Sequence, residues 1–165
     1  MRPGLATATP ATRVATVTLN PAIDHSVGIP DFTPGSVNRV DWEQADAGGK
    51  GVNVASFLSD LGVAASASGF LGRENAAAFE HLFARKGVAD HFVRLPGKTR
   101  VNVKILDEAQ HRVTDINFPG LQPKAPDLAQ LKTVIAQLAA DHDWFVLSGS
   151  VPAGLPVDIL SLIHI

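Results

Sequence analysis

The 165-residue chain contains no cysteine. That excludes disulfides, thiolate zinc sites and a cysteine nucleophile together, and it leaves the compartment open. Charge is sparse as well: 18% of the residues are Asp, Glu, Lys or Arg, and the formal net charge is -2. A nucleic-acid surface asks for a clearly basic domain, so no nucleic-acid partner is expected. No apolar run approaches the length that crosses a bilayer, so no membrane partner is expected either. Met1 to Pro10 holds no apolar segment of the kind a secretory signal carries. Residues 1–12 read as a short flexible tail of Ala, Thr and Pro, and the expected location is cytoplasmic. The six histidines show no H-E-x-x-H spacing, so no metal site is expected.

What remains is an ordinary globular composition, 45% hydrophobic, at a length that fits one domain with a sizeable core. Val14 to Leu19 is rich in Val and Thr and stops at Asn20-Pro21, the pattern of a strand ending in a turn. Val54, Leu58 and Leu61 recur at helical spacing before Gly62. Ala64 to Phe70 reads as a second strand. Phe79, Leu82 and Phe83 mark a helix ending near Gly87, and Leu128, Leu131, Ile135 and Leu138 mark another that starts near Pro126 and Asp127. Trp144 to Leu147 is a short apolar run of the buried parallel type. Strands alternating with helices predict an α/β fold with a mostly parallel sheet.

Two regions break that rhythm. Residues 25–46 and 99–118 show β-type alternation without a helix, and Asp107 to Gln110 is a polar link of hairpin length inside the second. Both predict strands paired outside the main sheet. A small β-layer hung on an α/β core could serve as a lid over a site at the sheet's carboxyl edge. Val27, Ile29, Val101 and Val103 are candidates for an apolar face on that layer.

The most informative stretch is Ala47-Gly48-Gly49-Lys50-Gly51-Val52-Asn53-Val54-Ala55. Its glycines permit tight turns and close approach to a ligand. The helix that follows offers unpaired N–H groups, and Lys50 adds a full charge. The spacing is neither that of a Walker A loop nor that of a dinucleotide fingerprint. A glycine-rich helix entry with a solvated lysine is the plain structural alternative. Gly149-Ser150 is not a serine-hydrolase elbow, since position 152 is proline where that motif needs glycine.

The stretch from Gly48 to Ala55 resembles the N-terminal signature of the phosphofructokinase-B family of ribokinase-like carbohydrate kinases. Thr18-Leu19-Asn20-Pro21-Ala22-Ile23-Asp24 resembles the first strand and turn of its phosphosugar branch. Gly69 to Asn75, Thr99 to Lys104 and Val113 to Phe118 are similar to 1-phosphofructokinases in particular. Leu147 to Pro152 resembles the next strand and its edge. The resemblance covers about residues 13–160, in order and without large gaps, and residues 161–165 fall outside it.

The resemblance implies roles residue by residue. Asp24 matches the carboxylate that binds sugar hydroxyls; the residues alone would favour an Asx turn there. Gly49 and Asn53 match positions that line the sugar. Lys50 stands where the substrate phosphate can be met, and Arg100 matches an arginine that reaches the same phosphate through its planar fork. Asn102 lies two residues on, on the same side of a strand. Ser150 matches a sugar-site position at a strand's carboxyl edge.

The family's second signature, a glycine-alanine-glycine run ending in the catalytic aspartate, does not occur in this sequence. The expected catalytic Asp therefore lies beyond the end of the chain, as does most of the ATP and Mg²⁺ site that the family implies. The chain is expected to be the N-terminal part of one kinase domain, truncated at its C-terminus. The implied reaction of the intact enzyme is ATP-dependent phosphorylation of the 6-hydroxyl of D-fructose 1-phosphate. Tagatose 6-phosphate is the alternative acceptor, and a non-catalytic sugar-phosphate-binding fragment is the alternative class. A homodimer formed through the β lid is implied for the intact protein.

Overall fold

The computed structural model describes residues 12–156 and 158–164. The expected tail at 1–12 lies outside them apart from Thr12, as does Ile165 of the 161–165 segment. The main sheet is built from β1 (Arg13–Thr18), β4 (Ala64–Gly72), β5 (Ala89–Leu95) and β8 (Trp144–Leu147). Its order is β5-β4-β1-β8 and every pairing is parallel. A second four-stranded sheet stands apart from it, in the order β3-β2-β6-β7. Its strands are β2 (Ala22–Gly28), β3 (Trp42–Gly48), β6 (Val101–Asp107) and β7 (Arg112–Ile116). There β2 and β6 run parallel while both outer pairings are antiparallel.

Period-two alternation on the main strands supplies two cores. On one face Ala65, Ala67 and Leu71 of β4 pack with Val52 and Ala55 of α1 (Lys50–Asp60) and with Phe79 and Phe83 of α2 (Ala77–Lys86). On the other, Val17 and Phe70 pack against Leu131 and Ile135 of α3 (Ala125–Leu138). The short helix α4 (Ile159–His164) closes the described chain and sends Ile159 into that second core. Gly87, left-handed at φ 67°, ends α2. The carboxylate of Asp127 accepts the Lys124 backbone N–H at 2.7 Å and starts α3.

Asp107 organises the outer end of the small sheet. Its carboxylate accepts the backbone N–H groups of Asp31 (3.1 Å), Phe32 (2.9 Å) and Gln110 (3.1 Å). Desolvation pushes its pKa up, but these N–H donors outweigh it and hold the carboxyl below the usual carboxylate range. The expected apolar face is corrected by this arrangement. Val27 and Ile29 are buried, packed with Ile105, Phe32 and Val103 in a small core of the sheet's own. The loop carried by Asp107 brings Phe32 onto them, and sequence alternation cannot show which face a loop will cover. Val101 and Val103 are half-buried, and on the strands of this sheet the exposed large apolar side chains are Trp42, Val113 and Ile116.

Candidate functional site

The two sheets meet where β1 ends; Asp24, Arg100, Asn102 and Ser150 are hydrogen-bonded into that junction, Gly49 abuts it, and Lys50 and Asn53 lie exposed beside it. Asp24 lies on β2, in a strand and not in an Asx turn, with its side chain exposed. Its Oδ1 accepts a hydrogen bond from Asn102 Nδ2 at 3.2 Å, across the register pair Asp24↔Asn102. Asn102 Oδ1 in turn accepts the Phe118 backbone N–H at 3.3 Å. On the β3 side Gly48 leaves room for this carboxylate, since a Cβ there would lie 2.5 Å from Asp24 Oδ2 and push it aside. Asp24 is thus an acceptor-only group held from one side and open on another, which suits a ligand bearing hydroxyl donors.

Arg100 precedes β6. Its Nε donates to Pro21 O (3.3 Å), Nη2 to Asn20 O (3.2 Å) and Nη1 to Phe118 O (3.4 Å). These three carbonyls fix the fork in place and leave its remaining N–H donors unused among the described residues. A fixed, half-buried guanidinium with donors in reserve is well suited to an oxyanion. Arg100 is itself placed by its neighbour. Thr99 is pinned to Asn75, whose Nδ2 donates to Thr99 O and whose Oδ1 accepts Thr99 N–H, both at 2.8 Å. The Thr99 hydroxyl also accepts the Gly72 N–H at 2.8 Å.

The start of α1 closes the third side. Gly49 is its N-cap at φ 130°, a conformation open to glycine, and it caps with no side chain. A Cβ on Gly49 would press on Pro21 Cα at 3.2 Å, so the helix start abuts the turn that Arg100 holds. Lys50, the first helical residue, is exposed and makes no ion pair among the described residues. Asn53 is exposed one turn further along. Below them Thr18 Oγ1 is fully buried without a hydrogen-bond partner, against the Gly51 backbone. Ser150, in the loop after β8, is exposed and accepts a hydrogen bond from Asn20 Nδ2 at 3.1 Å.

Sequence reasoning missed Thr18, Asn20 and Asn75 as parts of this constellation. Each sat inside a motif, yet its contact is made across the fold or with main chain. No group of three His, Asp or Glu side chains among the described residues could hold a metal ion. A cavity of about 340 Å³ lined by Leu95, Pro96, Leu121, Gln122, Lys124 and Asp127 shares none of the site residues. Ser66, His142 and Asp141 form a hydrolase-like chain. His142 Nδ1 faces only acceptors, Leu138 O at 2.9 Å and Asp141 Oδ1 at 2.7 Å, so it carries the proton. Nε2 then accepts from Ser66 Oγ at 2.8 Å. Ser66 and His142 are buried in the core, so the chain is a strut and no substrate reaches it.

The model of the pfkB family of carbohydrate kinases matches residues 17–164. The chain belongs to that family. Among curated proteins it is 51% identical over 144 residues to the 1-phosphofructokinase of Rhodobacter capsulatus, covering 87% of this chain and 46% of that one. The Vibrio cholerae 1-phosphofructokinase is 46% identical over 143 residues, with 87% and 45% covered. A possible 1-phosphofructokinase of Thermotoga maritima superposes with a TM-score of 0.83 at 36% identity, covering 92% of this chain and 49% of that one. Phosphofructokinase-2 of Escherichia coli, solved in complex with fructose 6-phosphate, gives 0.82 at 27% identity, with 93% and 50% covered. This pfkB chain spans about half the length of the curated relatives it matches. Its ribokinase-like α/β fold and small second sheet are those expected from the sequence.

Proposed function

We propose that this chain is the acceptor-binding part of an ATP-dependent kinase acting on the 6-hydroxyl of D-fructose 1-phosphate. The carrying observation is the pairing, at one edge of the fold, of an open carboxylate, Asp24, with a carbonyl-clamped guanidinium, Arg100. A ligand that suits both must offer hydroxyl donors at one end and an oxyanion at the other, which describes a sugar phosphate. The names of the relatives, 1-phosphofructokinase, favour fructose 1-phosphate over tagatose 6-phosphate. In this reading Asp24 and Asn53 hold hydroxyls, Gly49 lets the sugar approach, and Asn102 steadies Asp24. Arg100 and Lys50 hold the phosphate. Phosphoryl transfer depends chiefly on positioning and charge neutralisation, and positioning is what these residues can contribute. ATP, Mg²⁺ and the catalytic base belong in this reading to sequence outside this chain.

Association through the small sheet goes with the same reading. Gly28 is in register with Trp42 and with Leu106, and Leu106 with Val113. Exposed Trp42 and Val113 therefore share the face that carries Asp24 and Asn102. A second copy seated on them would cover the ligand as well, so the sheet would act as a lid. A tetrameric inhibited form of Escherichia coli phosphofructokinase-2 shows that a relative at 26% identity assembles. A cytoplasmic location accords with a sugar-phosphate substrate. No helix among the described residues is long and apolar enough to cross a membrane.

Calorimetric titration of the chain with fructose 1-phosphate, tagatose 6-phosphate and fructose tests the proposal. Fructose 1-phosphate should bind most tightly, by at least about tenfold over fructose, the worth of one charge-assisted phosphate contact. Equal affinity for fructose, or none for any of them, would remove the basis for it.

A further inference from the structure

Asn20 touches both ends of this cradle with different parts of itself. Its main-chain oxygen accepts Arg100 Nη2 at 3.2 Å, on the phosphate side. Its side-chain Nδ2 donates to Ser150 Oγ at 3.1 Å, across 130 residues of chain. Its Oδ1 lies against Gly120, where any Cβ would overlap it. The side chain is thus packed on one side by Gly120 and tethered on the other to the loop after β8.

We propose that Asn20 is a positioning residue that sets the direction of the Ser150 hydroxyl and makes it a hydrogen-bond donor to the bound sugar. A hydroxyl has one proton and two lone pairs. The Asn20 amide occupies a lone pair, and among the described residues the Ser150 hydroxyl donates to no protein acceptor, so its proton is offered to the ligand. The cradle then presents a donor, Ser150, together with an acceptor, Asp24. Such a pair fixes which sugar oxygen donates and which accepts, and so fixes how the ring lies. The inference rests on the sugar-phosphate reading of the site and adds to it a residue that acts through another.

The test is a pair of double-mutant cycles on the 165-residue chain, read as fructose 1-phosphate affinity. Asn20→Asp, which keeps the shape but turns the Ser150 proton toward a carboxylate, should weaken binding about tenfold, as should Ser150→Ala. The two changes together should be no worse than Ser150→Ala alone, because the first acts only through the second. Asn20→Asp with Arg100→Lys should instead multiply, since that link runs through main chain. Losses that multiply in both cycles would overturn the assignment. Hydrogen exchange on the ligand-free chain supplies a second readout: Asn20→Ala should speed exchange at 148–151 and leave β4 unchanged. Unaltered exchange at 148–151 would also overturn it. Failure of the unsubstituted chain to bind fructose 1-phosphate would instead sink the sugar-phosphate reading, and the exchange result would still decide whether the tether exists.

Discussion

Asn102 and Asp24 face each other across the parallel pairing of β2 and β6, with Asn102 Nδ2 donating to Asp24 Oδ1 at 3.2 Å. An amide that steadies a carboxylate leaves its charge intact, whereas a lysine there would neutralise it. Asn102→Ala should weaken fructose 1-phosphate binding about tenfold, the worth of one lost hydrogen bond to a charged group. Asn102→Asp should weaken it further, because it would add a third carboxylate to the row in which Asp24 and Asp46 already face each other. Titration of both variants at pH 7 checks the order. An Asn102→Asp chain that binds as well as the original would remove Asn102 from the site.

Arg100 carries two functions that substitution can separate. Arg100→Ala removes a phosphate contact and should cost about 1.5–3 kcal/mol of fructose 1-phosphate binding, roughly ten- to a hundredfold. It also releases the carbonyls of Asn20, Pro21 and Phe118 from their shared clamp. The thermal midpoint should therefore fall as well. Arg100→Lys keeps the charge but lacks the planar fork. It should regain part of the affinity while the midpoint stays low. Binding fully restored by lysine would show that the fork geometry is irrelevant to the phosphate.

The Asp107 carboxylate should make the small sheet sensitive to acid. Its folded pKa is lowered by backbone N–H donors against the opposing effect of desolvation. A depressed carboxyl contributes stability that is fully present above its ordinary value of 3.8 and is lost as pH falls through the folded value. On acidification the amide resonances of Asp31, Phe32 and Gln110 should shift together below pH 3.8. Asp107→Asn should abolish that joint transition and loosen the 29–33 loop at neutral pH. Amide shifts that titrate independently would show that Asp107 is not their common anchor.

Mixed with ATP, Mg²⁺ and fructose 1-phosphate, the 165-residue chain should release no ADP above a sugar-free blank. Loss of a general base alone lowers rates by about 10²–10⁴, and in the proposed reading the nucleotide site is missing along with the base. Sugar-dependent ADP in proportion to chain concentration would mean that the catalytic groups lie within it.

Much of the fold was legible because periodicity reported burial. The run from Val14 and the non-helical regions that became the small sheet read correctly. The Val54, Leu58 and Leu61 stripe found the helix α1 but not its buried face, which is Gly51, Val52 and Ala55, while Leu61 is exposed. β5 was not legible. Asp90, His91 and Arg94 interrupt its apolar pattern, and they do so because it is an edge strand. There Arg94 pairs with Asp90 and reaches Glu80 of α2 at 3.3 Å. The site divided along similar lines. Lys50 and Asp24 stood out as charges in glycine- and proline-marked segments. The clamp on Arg100 is made of carbonyl oxygens, which every residue possesses, so no residue identity could announce it. The Asn20–Ser150 contact joins segments that only the assembled sheet brings together.

The small sheet is stitched from two stretches that leave the main sheet and return to it, and its central pair joins residues 78 apart, Asp24 and Asn102. Loop closure over that distance is entropically expensive until something else has brought the ends together. Packing of α1 onto β1 and β4 would do so. The cradle should then be the last part of the molecule to assemble and the first to come apart, and mild denaturant should abolish ligand affinity while the parallel sheet is still intact.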